Sequence, residues 1–195
     1  MSIAFVLGNG ISRKGIPLDD LSQQGFLYGC NALYREFTPW VLVATDTPIA
    51  TAIQDTGYAK TNRFYTRKPK VGSGAHRVPQ EYYGFSSGPV AVGIAADDAM
   101  ERIYLVGFDL GPDANNKFNN VYAGTEFYKT VDAVPTYTGN WIRQIKTVVK
   151  KYPKTQFIRV CGPTTADIDD FRHVSNFSSM DMATFLDRIN KQKDL

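Results

Sequence analysis

The chain alternates short, uniformly apolar runs with longer amphipathic stretches. Residues 3–7, 26–30, 41–44, 102–106 and 157–161 are apolar runs of strand length, and 63–65 is a shorter candidate. Each run is too short for a buried helix and ends on a small or polar residue, so each reads as a buried strand. The intervening stretches change period. Pro48 suits the first turn of a helix reaching about Thr56, with Gly57 as its stop. Ser86-Ser87-Gly88-Pro89 opens a second helix that places Val90, Ala91, Ile94 and Ala95 together. Trp141, Ile145, Val148 and Val149 recur at i, i+4, i+7 and i+8 with lysines opposite, up to Pro153. Met182, Phe185, Leu186 and Ile189 line a last helix, for which Ser179 is the predicted cap. Shorter helical pieces or turns fall at 17–21 and 32–37. Residues 66–85, 110–138 and 164–178 keep no period and read as irregular. Loops of that length in a compact domain are usually functional or mobile.

Strands that are apolar on both faces and alternate with helices predict an α/β fold with a mainly parallel sheet flanked by helices. Nothing divides residues 1–195 into two domains. In such sheets ligands bind beyond the carboxyl ends of the strands. Four of those ends carry small or polar groups: Gly8-Asn9-Gly10, Asn31, Thr45-Asp46 and Gly107-Phe108-Asp109. Gly8-Asn9-Gly10 is either a loop that holds a phosphate or nucleotide or a plain tight turn. Ser12, two residues on, either caps the next turn or binds a phosphate oxygen.

Composition narrows the class. With 43% hydrophobic and 21% charged residues the chain has an ordinary globular balance, and no apolar run approaches a membrane span. The first residues lack a basic leader region and read as strand. Cys30 and Cys161 sit in apolar runs, which predicts reduced core thiols in a cytoplasmic protein. Only His76 and His173 could add imidazole ligands, and neither lies near a cysteine, so no metal site is expected. A net charge of +3 does not by itself indicate nucleic acid.

The motifs taken in order resemble the bacterial sialyltransferase family of the Campylobacter lipooligosaccharide enzymes. A looser resemblance extends to the domain shared with archaeal 6-hydroxymethylpterin diphosphokinase-like proteins. The matching residues are Gly8-Asn9-Gly10-Ile11-Ser12, Cys30-Asn31, Ser87-Gly88 and Ile103-Tyr104-Leu105-Val106-Gly107-Phe108-Asp109, covering residues 3 to about 162. The resemblance implies a Rossmann-like domain that binds a cytidine nucleotide sugar without metal. It implies that Gly8, Asn9, Gly10 and Asn31 contact the nucleotide and that Ser87 and Gly88 face the donor. Tyr122 is the counterpart of tyrosines that assist the leaving phosphate. The family's general-base histidine falls on Asn140, within Thr136-Tyr137-Thr138-Gly139-Asn140-Trp141. An amide cannot take that proton, and general-base help is worth about 10²–10⁴-fold. Asp109, Asp46, His76 or His173 would have to substitute. GNG-x-S, Cys-Asn-Ala-Leu-Tyr and Gly-Asn-Trp also resemble proteins carried by tailed bacteriophages, which implies a site of action in the host cytoplasm.

A basic stretch completes the candidates. Between Asp55 and Glu81 there is no acid, while Lys60, Arg63, Arg67, Lys68, Lys70 and Arg77 occur among aromatic residues. Such a loop is a lid over a nucleotide, a track for single-stranded nucleic acid, or a solvated surface. Three functions follow. The first is a glycosyltransferase-like transferase, the second a nucleotide-sequestering protein, and the third a nucleic-acid-binding accessory.

Overall fold

The five apolar runs become the five adjacent central strands of one sheet. The computed structural model describes residues 1–191. Its strands are β1 (Ile3–Leu7), β2 (Phe26–Cys30), β3 (Val41–Val43), β4 (Phe64–Thr66), β5 (His76–Arg77), β6 (Arg102–Val106), β7 (Gln156–Cys161) and β8 (Phe177–Asp181). The helices are α1 (Leu18–Ser22), α2 (Thr47–Asp55), α3 (Ser87–Asp97), α4 (Gly139–Lys151) and α5 (Met182–Lys191). The strands run in the order β5-β4-β3-β2-β1-β6-β7-β8, and every pair is parallel. The fold is therefore α/β and Rossmann-like, with helices on both faces of the sheet.

Alternation along β1 shows why the strands read as uniformly apolar. Ala4 and Val6 join a core with residues of α3 and α4, while Phe5 and Leu7 join one with residues of α1, α2 and α5. A sheet covered on both faces leaves no polar side to its inner strands. The order of strands fixes where a ligand can enter. From β1 the chain winds outward through β2 to β5, then crosses back to β6 on the other side of β1. The winding thus reverses at β1 and β6, and a ligand crevice is expected beside the loops that follow them.

Helix α3 makes that return crossing. It is buried from Pro89 to Ala96 and packs over β1, β2, β3 and β6. Its lack of a polar face follows from that position. Gly93 lets the ring of Tyr82 reach the helix backbone, and the Tyr82 hydroxyl donates to the Gly93 carbonyl at 3.3 Å. A Cβ at residue 93 would lie 2.5 Å from the Tyr82 ring.

Three expectations need correction. Residues 66–85 are not wholly irregular: they contain β5 and a 3₁₀ turn at Gln80–Tyr82. The region 164–178, expected to be loop, includes the start of β8. This strand lies at the sheet edge with Ser178 and Ser179 exposed, so it lacks the apolar alternation of a covered strand. Ser179 is thus a strand residue and not a helix cap. The turn into α5 is held by Asp181, whose carboxylate accepts from the Thr184 N–H at 2.9 Å and the Thr184 hydroxyl at 2.6 Å. The basic stretch is folded onto the body. Arg63 pairs with Asp98 at 2.6 Å, Lys70 pairs with Asp55, and Arg67 donates to the Phe85 carbonyl at 2.8 Å. No helix among the described residues is long and apolar enough to cross a membrane.

Alanine for glycine inside a helix ordinarily stabilises by about 1 kcal/mol. Gly93→Ala is expected to reverse that sign, because overpacking against a buried ring costs about 1–3 kcal/mol. Urea unfolding checks this: a midpoint raised by Gly93→Ala would contradict the packing described.

Candidate functional site

At the carboxyl ends of β1, β2, β3 and β6 the chain leaves a cleft of about 160 Å³. A closed apolar cavity of similar size accommodates one benzene ring, so a larger ligand must extend through the open mouth. Of the residues singled out from sequence, Gly8, Asn9, Gly10, Asn31, Asp46, Ser87, Gly88 and Asp109 line this cleft. Ser12, Tyr122 and Asn140 do not.

The glycine loop forms one wall because backbones meet there. Gly8 N–H donates to the Val106 carbonyl and Gly10 N–H to the Gly107 carbonyl, each at 2.8 Å. A Cβ on Gly8 would sit 2.5 Å from the Gly107 oxygen. Gly107 turns at φ +76°, in the region that favours glycine. Asn9 is a fastener at this point. Its side-chain amide donates to the Cys30 carbonyl at 3.4 Å, and its backbone carbonyl accepts from the Val121 N–H at 2.8 Å.

Asp109 is also committed. Its carboxylate accepts from the Ser12 N–H at 3.0 Å, from the Ser12 hydroxyl and from the Thr164 hydroxyl at 2.7 Å. Ser12 therefore spends both donors on Asp109. Behind this loop lies Arg159, 2% exposed, donating to the carbonyls of Phe108 (2.9 Å), Asp109 (2.9 Å) and Ala166 (2.8 Å). Burial lowers the pKa of this guanidinium below its ordinary value. An arginine in an otherwise apolar strand is the sequence signal for this strut.

The opposite wall is less committed. Asn31 takes a left-handed conformation, φ 53°, which asparagine tolerates better than most residues. Its carbonyl oxygen accepts from the Ser87 hydroxyl at 3.0 Å, and Ser87 in turn accepts from the Thr45 N–H at 3.0 Å. The Asn31 NH₂ group has no partner among the described residues. Nor do the backbone N–H groups of Ser87 and Gly88 in the first turn of α3, at the positive end of the helix dipole. Asp46, at the head of α2, is exposed, with its carboxylate in no hydrogen bond or ion pair among the described residues. Phe108, Leu110 and Trp141 supply apolar surface, and Trp141 donates its indole N–H to the Ser86 hydroxyl at 2.9 Å.

The remaining candidates lie elsewhere. Asn140 is exposed in the first turn of α4 and accepts from Arg143 at 2.9 Å; the next residue, Trp141, is the one that reaches the cleft. Tyr122 bonds Glu36 and accepts from Arg13 at 2.8 Å, and burial raises its pKa. His76 is exposed on β5 and His173 is exposed near β8, neither lining the cleft. Cys30 is buried, and burial pushes its thiol up to about 12. Asn119 and Asn120, within the irregular stretch 110–138, do line the cleft. Asn119 accepts from the Ile11 N–H at 2.8 Å, joining residues 110–138 to the glycine loop. No cluster of three or more His, Cys, Asp or Glu able to hold a metal ion occurs among the described residues.

Comparison with protein-family models, curated proteins and solved structures returned no match to this chain. The cleft's own chemistry is therefore what bears on function.

Glu36 provides a pH test of the wall. Partial burial raises its pKa, but hydrogen bonds from Tyr122 and Arg13 outweigh that and hold it below 4.5. A carboxylate depressed on folding stabilises the protein above its unfolded pKa and loses that contribution as pH falls through the lower, folded value. Glu36→Gln is expected to make the decline in urea midpoint below pH 4.5 shallower. An unchanged pH profile would mean that the cluster is not coupled to folding.

Proposed function

We propose that the protein is a nucleotide-sugar-dependent transferase of the glycosyltransferase type, with its donor in the cleft between the joined β1 and β6 loops and the first turn of α3. One observation carries this reading. The unpaired donors of Asn31, Ser87 and Gly88 converge with apolar surface at the switch point of a parallel sheet. Amide and backbone N–H donors suit the hydroxyl, carbonyl and phosphate oxygens of a nucleotide, and a helix N-terminus favours its negative charge. The aromatic surface suits a base or a sugar face. The sequence resemblance to sialyltransferases points the same way and favours a cytidine nucleotide.

Catalysis requires a proton acceptor, and the two strand-end aspartates differ in availability. Asp109 is occupied by Ser12 and Thr164, while Asp46 is free. In this reading Asp46 takes the acceptor hydroxyl's proton as that oxygen bonds to the sugar. The sugar–phosphate bond breaks, and its electron pair leaves on the nucleotide phosphate toward the first turn of α3. The displacement of Asn140 from the cleft, with no imidazole lining it, favours one second reading: a protein that binds a nucleotide without turning it over. The basic stretch does not favour nucleic acid as strongly, since Arg63, Arg67 and Lys70 are engaged within the protein.

A panel of nucleotides and nucleotide sugars in thermal unfolding tests both readings. A ligand at 100 times its Kd adds about 2.7 kcal/mol, roughly 5–10 °C for a chain of this size. Asn31→Ala is expected to weaken binding about tenfold, as for one lost hydrogen bond. Asp46→Asn is expected to keep the thermal shift and lose turnover by about 10²-fold or more. A shift with ligand recovered unchanged selects the binding reading. No shift across the panel overturns both.

A further inference from the structure

The second feature of interest lies at the other end of the sheet, where β1 and β6 begin. There the helix-covered face leaves a hollow of about 310 Å³ beside α5. Its floor is apolar: Ile3 and Phe5 of β1, Tyr104 of β6, and Phe185 and Ile189 one turn apart on α5. Three of these form an aromatic cluster, with Phe5 stacked on Tyr104 at 5.4 Å and Phe185 against each ring at 6.0 and 5.5 Å. Register explains the neighbours, because Ile3 pairs with Arg102 and Phe5 with Tyr104.

The rim is cationic. Arg102, Arg188 and Lys191 line the hollow, and no acid among the described residues does. Arg102 spends two donors on the neutral oxygen of Gln156, at 3.2 and 3.1 Å, which leaves its charge uncompensated. Lys191 pairs with Asp187 one turn back at 2.6 Å, in an exposed position where such pairs count for little. Arg188 is exposed and has no partner among the described residues. An apolar floor beneath two arginines without an acidic partner among the described residues complements a ligand with an apolar body and one anionic head. A bare anion would gain nothing from the aromatic floor, and a neutral hydrocarbon nothing from the rim.

We propose that this hollow is a binding site for a small amphipathic carboxylate: an acid with a medium-length aliphatic chain or a single ring. The aliphatic or ring portion lies against Phe5, Tyr104 and Phe185, and the carboxylate meets Arg188 with Arg102 beside it. The site lies at the amino ends of the strands and is separate from the cleft, so it does not depend on the transferase reading.

Calorimetric titration of the full chain with butanoate, hexanoate and octanoate tests this, with acetate and octylamine as controls. The expected result is saturable one-to-one binding that tightens about fourfold per added methylene, with neither control binding. Arg188→Glu is expected to weaken octanoate at least tenfold, and Arg188→Gln by less, both with unchanged circular dichroism. Nucleotide thermal shifts are expected to be the same in these variants as in the parent chain. Absence of octanoate binding, equal affinity for acetate, or indifference to both Arg188 variants would overturn the proposal. Binding to phosphatidylglycerol vesicles without binding to monomeric octanoate would overturn it too, by assigning the rim to a membrane surface.

Discussion

The approach of two backbones, at Gly8 after β1 and Gly107 after β6, is the constraint on which the rest of the upper face depends. The ladder between these central strands continues one step past their ends, through Gly8 to the Val106 carbonyl and Gly10 to the Gly107 carbonyl. A side chain at either glycine would strike the other's carbonyl oxygen, at 2.5 and 2.7 Å. Once the two loops are locked together, other contacts fall into place. Asp109 is brought under the turn that begins at Ile11, and Arg159 is trapped behind the β6 loop with its carbonyl partners. The cleft opens only on the side where this lock does not reach.

That division separates two kinds of polar residue that look alike in a sequence. Asn9 and Asp109 are fasteners, each with several partners inside the protein. Asn31 and Asp46 keep hydrogen-bonding capacity in hand. Buried polar groups need partners, and the deeper position of Asn9 and Asp109 supplies them from the chain itself. The shallower pair faces the open mouth. A ligand can therefore be recognised by one wall while the other holds its shape.

The central five strands and all the longer helices were legible because a two-sided apolar environment leaves a periodic mark. The edge strand β8 was not, since Ser178 and Ser179 face outward and carry no such mark. Nearly half of the cleft residues could be named from strand ends alone, because a parallel sheet directs all those ends to one side. What periodicity cannot convey is where a long irregular segment lies. Asn119 and Asn120 come to the cleft through contacts of residues 110–138 with the glycine loop, and Tyr122 comes instead to Arg13 and Glu36. Asn140 and Trp141 are consecutive residues of α4, yet they differ entirely in surroundings. A rotation of about 100° per residue decides that.

The position of Trp141 has an optical consequence. The chain has two tryptophans, and they occupy opposite ends of the sheet. Trp40 precedes β3, half exposed against Phe26, so its emission reports on water and changes little with events at the cleft. Trp141 lines the cleft with its indole N–H tied to Ser86, next to the first turn of α3. A ligand entering there would displace solvent from one indole only. The protein thus carries its own spectroscopic reporter, with a second chromophore as internal reference.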